Sequence, residues 1–67
     1  MPGALELAAA VASIIAKKVP GRKEDAVNEL HILEDLLAKA LVESEDMLAA
    51  QIRERMKQIR ETYEDIE

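Results

Sequence analysis

Apolar residues recur every three or four positions along this chain, a spacing that places them on one face of an α-helix. Three stretches carry the pattern, and they are separated by Pro20 and Gly21 and by the polar run 43–46. The sequence therefore predicts an all-α, three-helix protomer. We place the helices over about 3–19, 22–42 and 45–66, within a single domain, residues 1–67.

The apolar arcs of the three predicted helices differ in width. The first helix is apolar around most of its girth and leaves only a narrow polar stripe of Glu6, Ser13 and Lys17. The second has an apolar arc of about half its circumference, and the third has a narrow heptad-like seam. The residues predicted to form the core or an interface between copies are Leu7, Val11, Ile14, Ile15, Leu30, Leu33, Leu36, Leu37, Leu41, Leu48, Ile52, Met56, Ile59 and Tyr63.

The helix ends carry signals of different strength. Lys17 and Lys18 are expected in the last turn of the first helix, where cations meet the negative end of the helix dipole. Ser44 is expected to cap the third helix, with Glu45 and Asp46 in its first turn. No Gly or Pro interrupts 42–46, so one long helix over 22–66 is an alternative. We favour a hairpin because Ser-Glu-Asp is typical of a helix start and the apolar arc narrows after it.

Size and composition indicate how such helices become stable. A domain of about 60 residues buries only about 60% of its unfolded surface, so a small core commonly depends on disulfides, metals or oligomerisation. Cysteine, Phe and Trp are absent, and Tyr63 is the only aromatic residue, although 49% of the chain is hydrophobic. The sequence therefore predicts that this chain associates with copies of itself into a closed, cyclic homo-oligomer, which buries apolar surface that a single copy cannot cover.

Charge argues against a nucleic-acid partner. The formal net charge is −5, whereas affinity for phosphates comes mostly from cationic side chains. Arg53, Lys57 and Arg60 share one side of the third helix and Arg55 does not, and no aromatic residues lie between them to stack on bases. We interpret these cations as a solvated helix flank.

Candidate chemistry is sparse. His31 stands three residues before Glu34 and four before Asp35, but di-iron bundles use Glu-x-x-His, and here Asn28 holds the glutamate position. Adjacent acids such as Glu24 and Asp25 point apart on a helix, whereas paired carboxylate catalysis needs convergence. The sequence predicts no enzyme, no metal or other cofactor and no small-molecule substrate.

A membrane role is the weaker interpretation of the first helix. Its apolar run between Glu6 and Lys17 is shorter than the about 20 residues that a spanning helix needs, and the lysines follow the run rather than precede it. We expect a soluble chain, cytoplasmic if expressed in a cell. The alternative is a small natural protein, virus- or plasmid-encoded, that docks on a membrane or a partner helix through this stretch or another apolar stripe.

Two strings, AVNELHILEDLLAKAL and LAAQIRERMKQIRETYEDIE, are saturated with strong helix formers, and the connections VPGRK and ESED are minimal. In this style the whole chain resembles computationally designed helical bundles and homo-oligomers, in which helix propensity and apolar pattern agree. The resemblance implies assembly as the purpose of the chain and no biological substrate.

Overall fold

Three helices that alternate in direction along the chain make up the part that the structure describes. In this computed structural model, residues 3–64 are described, with side chains from residue 5 onward. The helices are α1 (Gly3–Ile15), α2 (Lys23–Val42) and α3 (Asp46–Thr62). The prediction of an all-α, three-helix fold is confirmed.

Helices α2 and α3 supply most of the core. Of the buried apolar side chains in the described part, five lie on α2, four on α3 and only two, Leu7 and Val11, on α1. Leu33, Ile52 and Ile59 are fully buried and are the largest such side chains together with Val11. The hairpin of α2 and α3 therefore contributes most of the hydrophobic core. Helix α1 packs against this hairpin with one side and exposes the other to solvent.

The connection between α2 and α3 confirms the hairpin and excludes one continuous helix. Ser44 has φ of 58°, in the left-handed region. The Ser44 N–H donates to the Leu41 carbonyl at 3.2 Å, and the Glu45 N–H donates to the Ala40 carbonyl at 2.8 Å. This pair of hydrogen bonds is a Schellman motif, which satisfies two carbonyls at the end of α2. The sequence therefore stops the helix without Gly or Pro.

Ser44 differs from its predicted role. The N-cap of α3 is Glu45, and no side chain caps this helix by a hydrogen bond. Ser44 instead occupies the left-handed position after α2, which Gly fills most easily because it has no Cβ. A serine at this position carries backbone strain that a glycine would not.

We expect Ser44→Gly to stabilise the protein by about 0.5–1 kcal/mol, because the relief of left-handed strain exceeds the entropy that Gly loses on folding. Urea denaturation followed by circular dichroism measures the change. Ser13→Gly is the matched control: Ser13 is an exposed position inside α1, where Gly in place of Ser should destabilise by about 0.3–0.5 kcal/mol. A destabilising Ser44→Gly would contradict the strain argument.

Helix α1 ends four residues earlier than predicted. The residue before a proline is disfavoured in the α conformation, and a helical Pro20 would clash with the carbonyl of Ala16. The chain tightens its last turn with a hydrogen bond from the Lys17 N–H to the Ile14 carbonyl at 3.1 Å and then leaves the helix. Lys17 and Lys18 thus lie beyond the helix and not in its last turn.

The other boundaries lie close to the prediction. Helix α2 begins at Lys23, and α3 begins at Asp46 and ends at Thr62. The third helix is predicted to reach residue 66, but it ends at Thr62, and Tyr63 is no longer helical. Residues 65 and 66 lie outside the described residues. Asp35 and Lys39 form the expected i,i+4 ion pair on α2, at 3.2 Å, with both side chains well exposed.

Candidate functional site

The side of α1 that faces away from the core is apolar along its whole length. We call this surface, formed by Leu5, Ala9, Ala12, Ile15 and Ala16, the outer face of α1. All five residues are exposed, Leu5 by 82% and Ile15 by 39%. Their spacing of about four and three residues keeps them on one arc of the helix, and the hydrogen bond from the Ala16 N–H to the Ala12 carbonyl extends the last turn to Ala16. A helix face of this kind normally packs against another element.

The outer face has two different borders. On one side lie Glu6 and Ser13, exposed and polar, followed by Lys17 just beyond the helix. On the other side an open groove of about 450 Å³ separates α1 from α3, and its α3 wall carries Gln51, Glu54 and Gln58. The apolar arc therefore continues into a groove whose far wall is polar, and within one copy only its groove side, at Ile15, is partly covered.

A second exposed apolar region lies at one end of the bundle. Because the helices alternate in direction, the start of α1, the end of α2 and the start of α3 meet at this end. Leu5, Val42 and Met47 are 82%, 84% and 79% exposed there, and Leu41 is 49% exposed. The outer face of α1 thus begins at an end of the molecule where these apolar side chains are exposed beside the acidic Glu43 and Asp46.

Arg55 forms the most buried polar cluster in the described part of the chain, and only 4% of it is exposed. Its Nε donates to Glu29 Oε2 at 2.6 Å, and its Nη2 lies 3.3 Å from Glu29 Oε1. The same guanidinium donates from Nη1 to the Lys17 carbonyl at 2.8 Å and from Nη2 to the Lys18 carbonyl at 3.1 Å. One side chain of α3 therefore binds α2 and the end of α1 together.

Tyr63 adds a second bond of the same kind. Its hydroxyl donates to the Pro20 carbonyl, in the connection between α1 and α2. Arg55 and Tyr63 together hold this connection by its backbone, at the negative end of the α1 dipole, where a cation is favourable. No buried side-chain N or O atom in the described residues lacks a hydrogen-bond partner. The cluster is saturated, so what it can do is position α1, and it offers no free group for chemistry.

The interpretation of the α3 cations as one solvated flank is wrong for Arg55, which is buried. A usable signal was present: Arg55 lies three residues after Ile52 and four before Ile59, which is a core-facing position. Glu29 lies likewise three residues after Ala26 and four before Leu33 on α2. Opposite charges at core-facing positions of two neighbouring helices predict a buried ion pair.

The residues predicted for the core or interface fall into three groups. Eight are buried: Leu7, Val11, Leu30, Leu33, Leu36, Ile52, Met56 and Ile59. Four are half-buried against this core: Ile14, Leu37, Leu48 and Tyr63. Ile15 and Leu41 are exposed, so within one copy they belong to the surface. The exposed two lie on the regions described above, the outer face of α1 and the apolar end.

The remaining candidates are not brought together. His31 is exposed on α2, and the neighbouring Asp35 is paired with Lys39. Within residues 3–64 no three side chains of His, Cys, Asp or Glu gather closely enough to hold a metal ion. Arg53, Lys57 and Arg60 are all exposed on α3.

None of the helices described between residues 3 and 64 combines the length and the apolar character needed to span a bilayer. No protein-family model, no curated protein sequence and no solved structure matches this chain.

Proposed function

We propose that this chain is a structural protein that assembles with copies of itself into a closed, cyclic homo-oligomer and has no catalytic activity. The observation that carries the proposal is the outer face of α1, which is apolar from Leu5 to Ala16 and exposed throughout. Closed symmetric assembly is the usual way in which a soluble chain covers such a surface.

The distribution of the core supports this role. Only Leu7 and Val11 of α1 are fully part of the core, so α1 gives one side to its own chain and keeps the other free. Burying an exposed Leu or Ile side chain is worth about 1.5–3 kcal/mol. Leu5 and Ile15 from two copies would together contribute several kcal/mol, which must offset the loss of translational and rotational freedom on association. We therefore expect assembly that depends on concentration.

A computationally designed origin is part of the proposal. In its favour, α2 has 20 residues and α3 has 17, and only 43–45 separate them. Two features differ from idealised design: neither α2 nor α3 has a side-chain N-cap hydrogen bond, and Ser44 has a positive φ. The purpose inferred from the sequence style, assembly without a substrate, agrees with the role proposed from the surface.

Sedimentation equilibrium over a concentration series tests the proposal. We expect the mass to rise above that of the 7.4 kDa chain and to reach a plateau at a small integer multiple. A plateau indicates a closed assembly, whereas unlimited growth would indicate an open one. A mass that stays at one chain up to about 1 mM would overturn the proposal. If the protein instead pelleted with lipid vesicles under the same conditions, this result would favour a membrane surface as the partner of the outer face of α1.

A further inference from the structure

We infer that copies of this chain meet through a two-fold, antiparallel contact between the outer faces of their α1 helices. This inference rests on the self-assembly proposed above and adds the surface, the partner and the relative direction of the two helices. The occupant of the outer face is thus the same face of a second copy.

The order of residues on the outer face fits a two-fold axis. In an antiparallel pair related by such an axis, each residue faces the one placed symmetrically about the midpoint of the contact. The midpoint between Leu5 and Ala16 is also the midpoint between Ala9 and Ala12. Ala9 and Ala12 therefore face each other at the centre, where small side chains let the two backbones approach. At each end, the large Leu5 of one copy faces the small Ala16 of the other.

The charges at the border of the outer face favour the same direction. Glu6 lies near the start of the polar border and Lys17 at its end, and both are exposed. The two-fold axis places the polar borders of the two copies beside each other with opposite directions. Glu6 of each copy then approaches Lys17 of the other, whereas a parallel two-fold pair would put the two polar borders on opposite sides of the contact, where Glu6 and Lys17 of different copies cannot pair. Opposite charges across an interface select the register in this way.

The groove beside α1 leaves room for this approach. Ala12, Ile15 and Ala16 line its α1 side, and the groove is open to solvent. Ile15, 39% exposed in one copy, lies where a second helix on the outer face would cover it. Since α1 spans about 20 Å, the contact is shorter than a standard interface and the dimer should dissociate on dilution.

Disulfide trapping tests the direction of the helices. The chain has no cysteine, so each introduced thiol is unique. We expect a mixture of Leu5→Cys and Ala16→Cys proteins to form the mixed disulfide dimer on mild oxidation. Each variant alone should cross-link much more slowly, since its two thiols would lie about 16 Å apart along the helix axis, beyond the Cα separations that disulfides span. Fast cross-linking of Leu5→Cys with itself would overturn the antiparallel arrangement.

Charge placement tests the surface separately. We expect Ala12→Glu to raise the dissociation constant about tenfold or more, because two carboxylates would be buried at the centre of the contact. Ala38→Glu, the same change at an exposed position on α2, should leave it unchanged. Glu6→Lys should weaken association several-fold, and the double variant Glu6→Lys with Lys17→Glu should restore it.

The outcomes separate the two proposals. If the unmodified chain associates but Ala12→Glu has no more effect than Ala38→Glu, the outer face of α1 is not the contact, and self-assembly through another surface stands. If the unmodified chain remains a monomer at every concentration, both proposals fail.

Discussion

Leu33→Asp is expected to abolish the folded state at 25 °C. Leu33 has no exposed surface and lies in the middle of α2, among the core residues of all three helices. Truncating a buried leucine to alanine already costs about 2–5 kcal/mol, and a buried, unpaired carboxylate adds several more. A core of this size rarely provides more than about 3–5 kcal/mol in total. Far-UV circular dichroism should show loss of helix and of the cooperative thermal transition.

Ile32→Asp is the matched control, because it makes the same change one residue earlier on the same helix. Ile32 is 52% exposed, so the carboxylate can remain in water, and we expect a change of no more than about 1 kcal/mol. Native helicity and an unshifted transition in Leu33→Asp would show that the α2–α3 core is not packed as described.

Arg55→Ala is expected to destabilise the protein by about 3 kcal/mol. The change removes the ion pair with Glu29 and the hydrogen bonds to the Lys17 and Lys18 carbonyls. Breaking a buried pair by removing one partner costs about 3–5 kcal/mol, and we take the lower end because 15% of the Glu29 side chain is exposed to water. Urea denaturation measures the loss of unfolding free energy.

Two further variants separate the charge of Arg55 from its shape. Arg53→Ala removes an exposed arginine from the same helix and should change stability by no more than about 0.5 kcal/mol. Arg55→Lys keeps the charge, but an ammonium group lacks the planar guanidinium that bonds to Glu29 and to the Lys17 and Lys18 carbonyls at the same time. We expect this variant to lose about 1–2 kcal/mol of unfolding free energy. Full stability in Arg55→Lys would mean that charge alone, without the geometry of the guanidinium, accounts for the cluster.

The helices and the buried side of each could be predicted because they depend on residue spacing. Leu30, Leu33 and Leu36 recur at intervals that only one helix face satisfies, and the structure buries all three. The hairpin was also predictable, although by a different mechanism from the one expected. The arc narrows after Val42 as anticipated, but the chain turns by placing Ser44 in the left-handed region, and serine carries no sequence signal for that conformation.

The Arg55 cluster could not be obtained by treating each helix alone. Whether an arginine at a core-facing position lies buried or extends to solvent depends on what the neighbouring helices place opposite it. Here Glu29 supplies the matching charge from α2, and the early end of α1 supplies two free carbonyls. The early end in turn depends on Pro20, which disfavours helix in the preceding residues, although the apolar spacing alone predicts a helix as far as Val19.

Arg55 binds the connection after α1 through main-chain oxygens only, which every amino acid provides. For the fold of a single copy, positions 17 and 18 can therefore accept many different side chains without loss of the anchor, whereas Glu29 and Arg55 must be exchanged as a pair. A coupling group attached to the side chain at position 18 would thus be held at a fixed place on the bundle, because Arg55 binds the backbone there. The contacts between the three helices would remain unchanged.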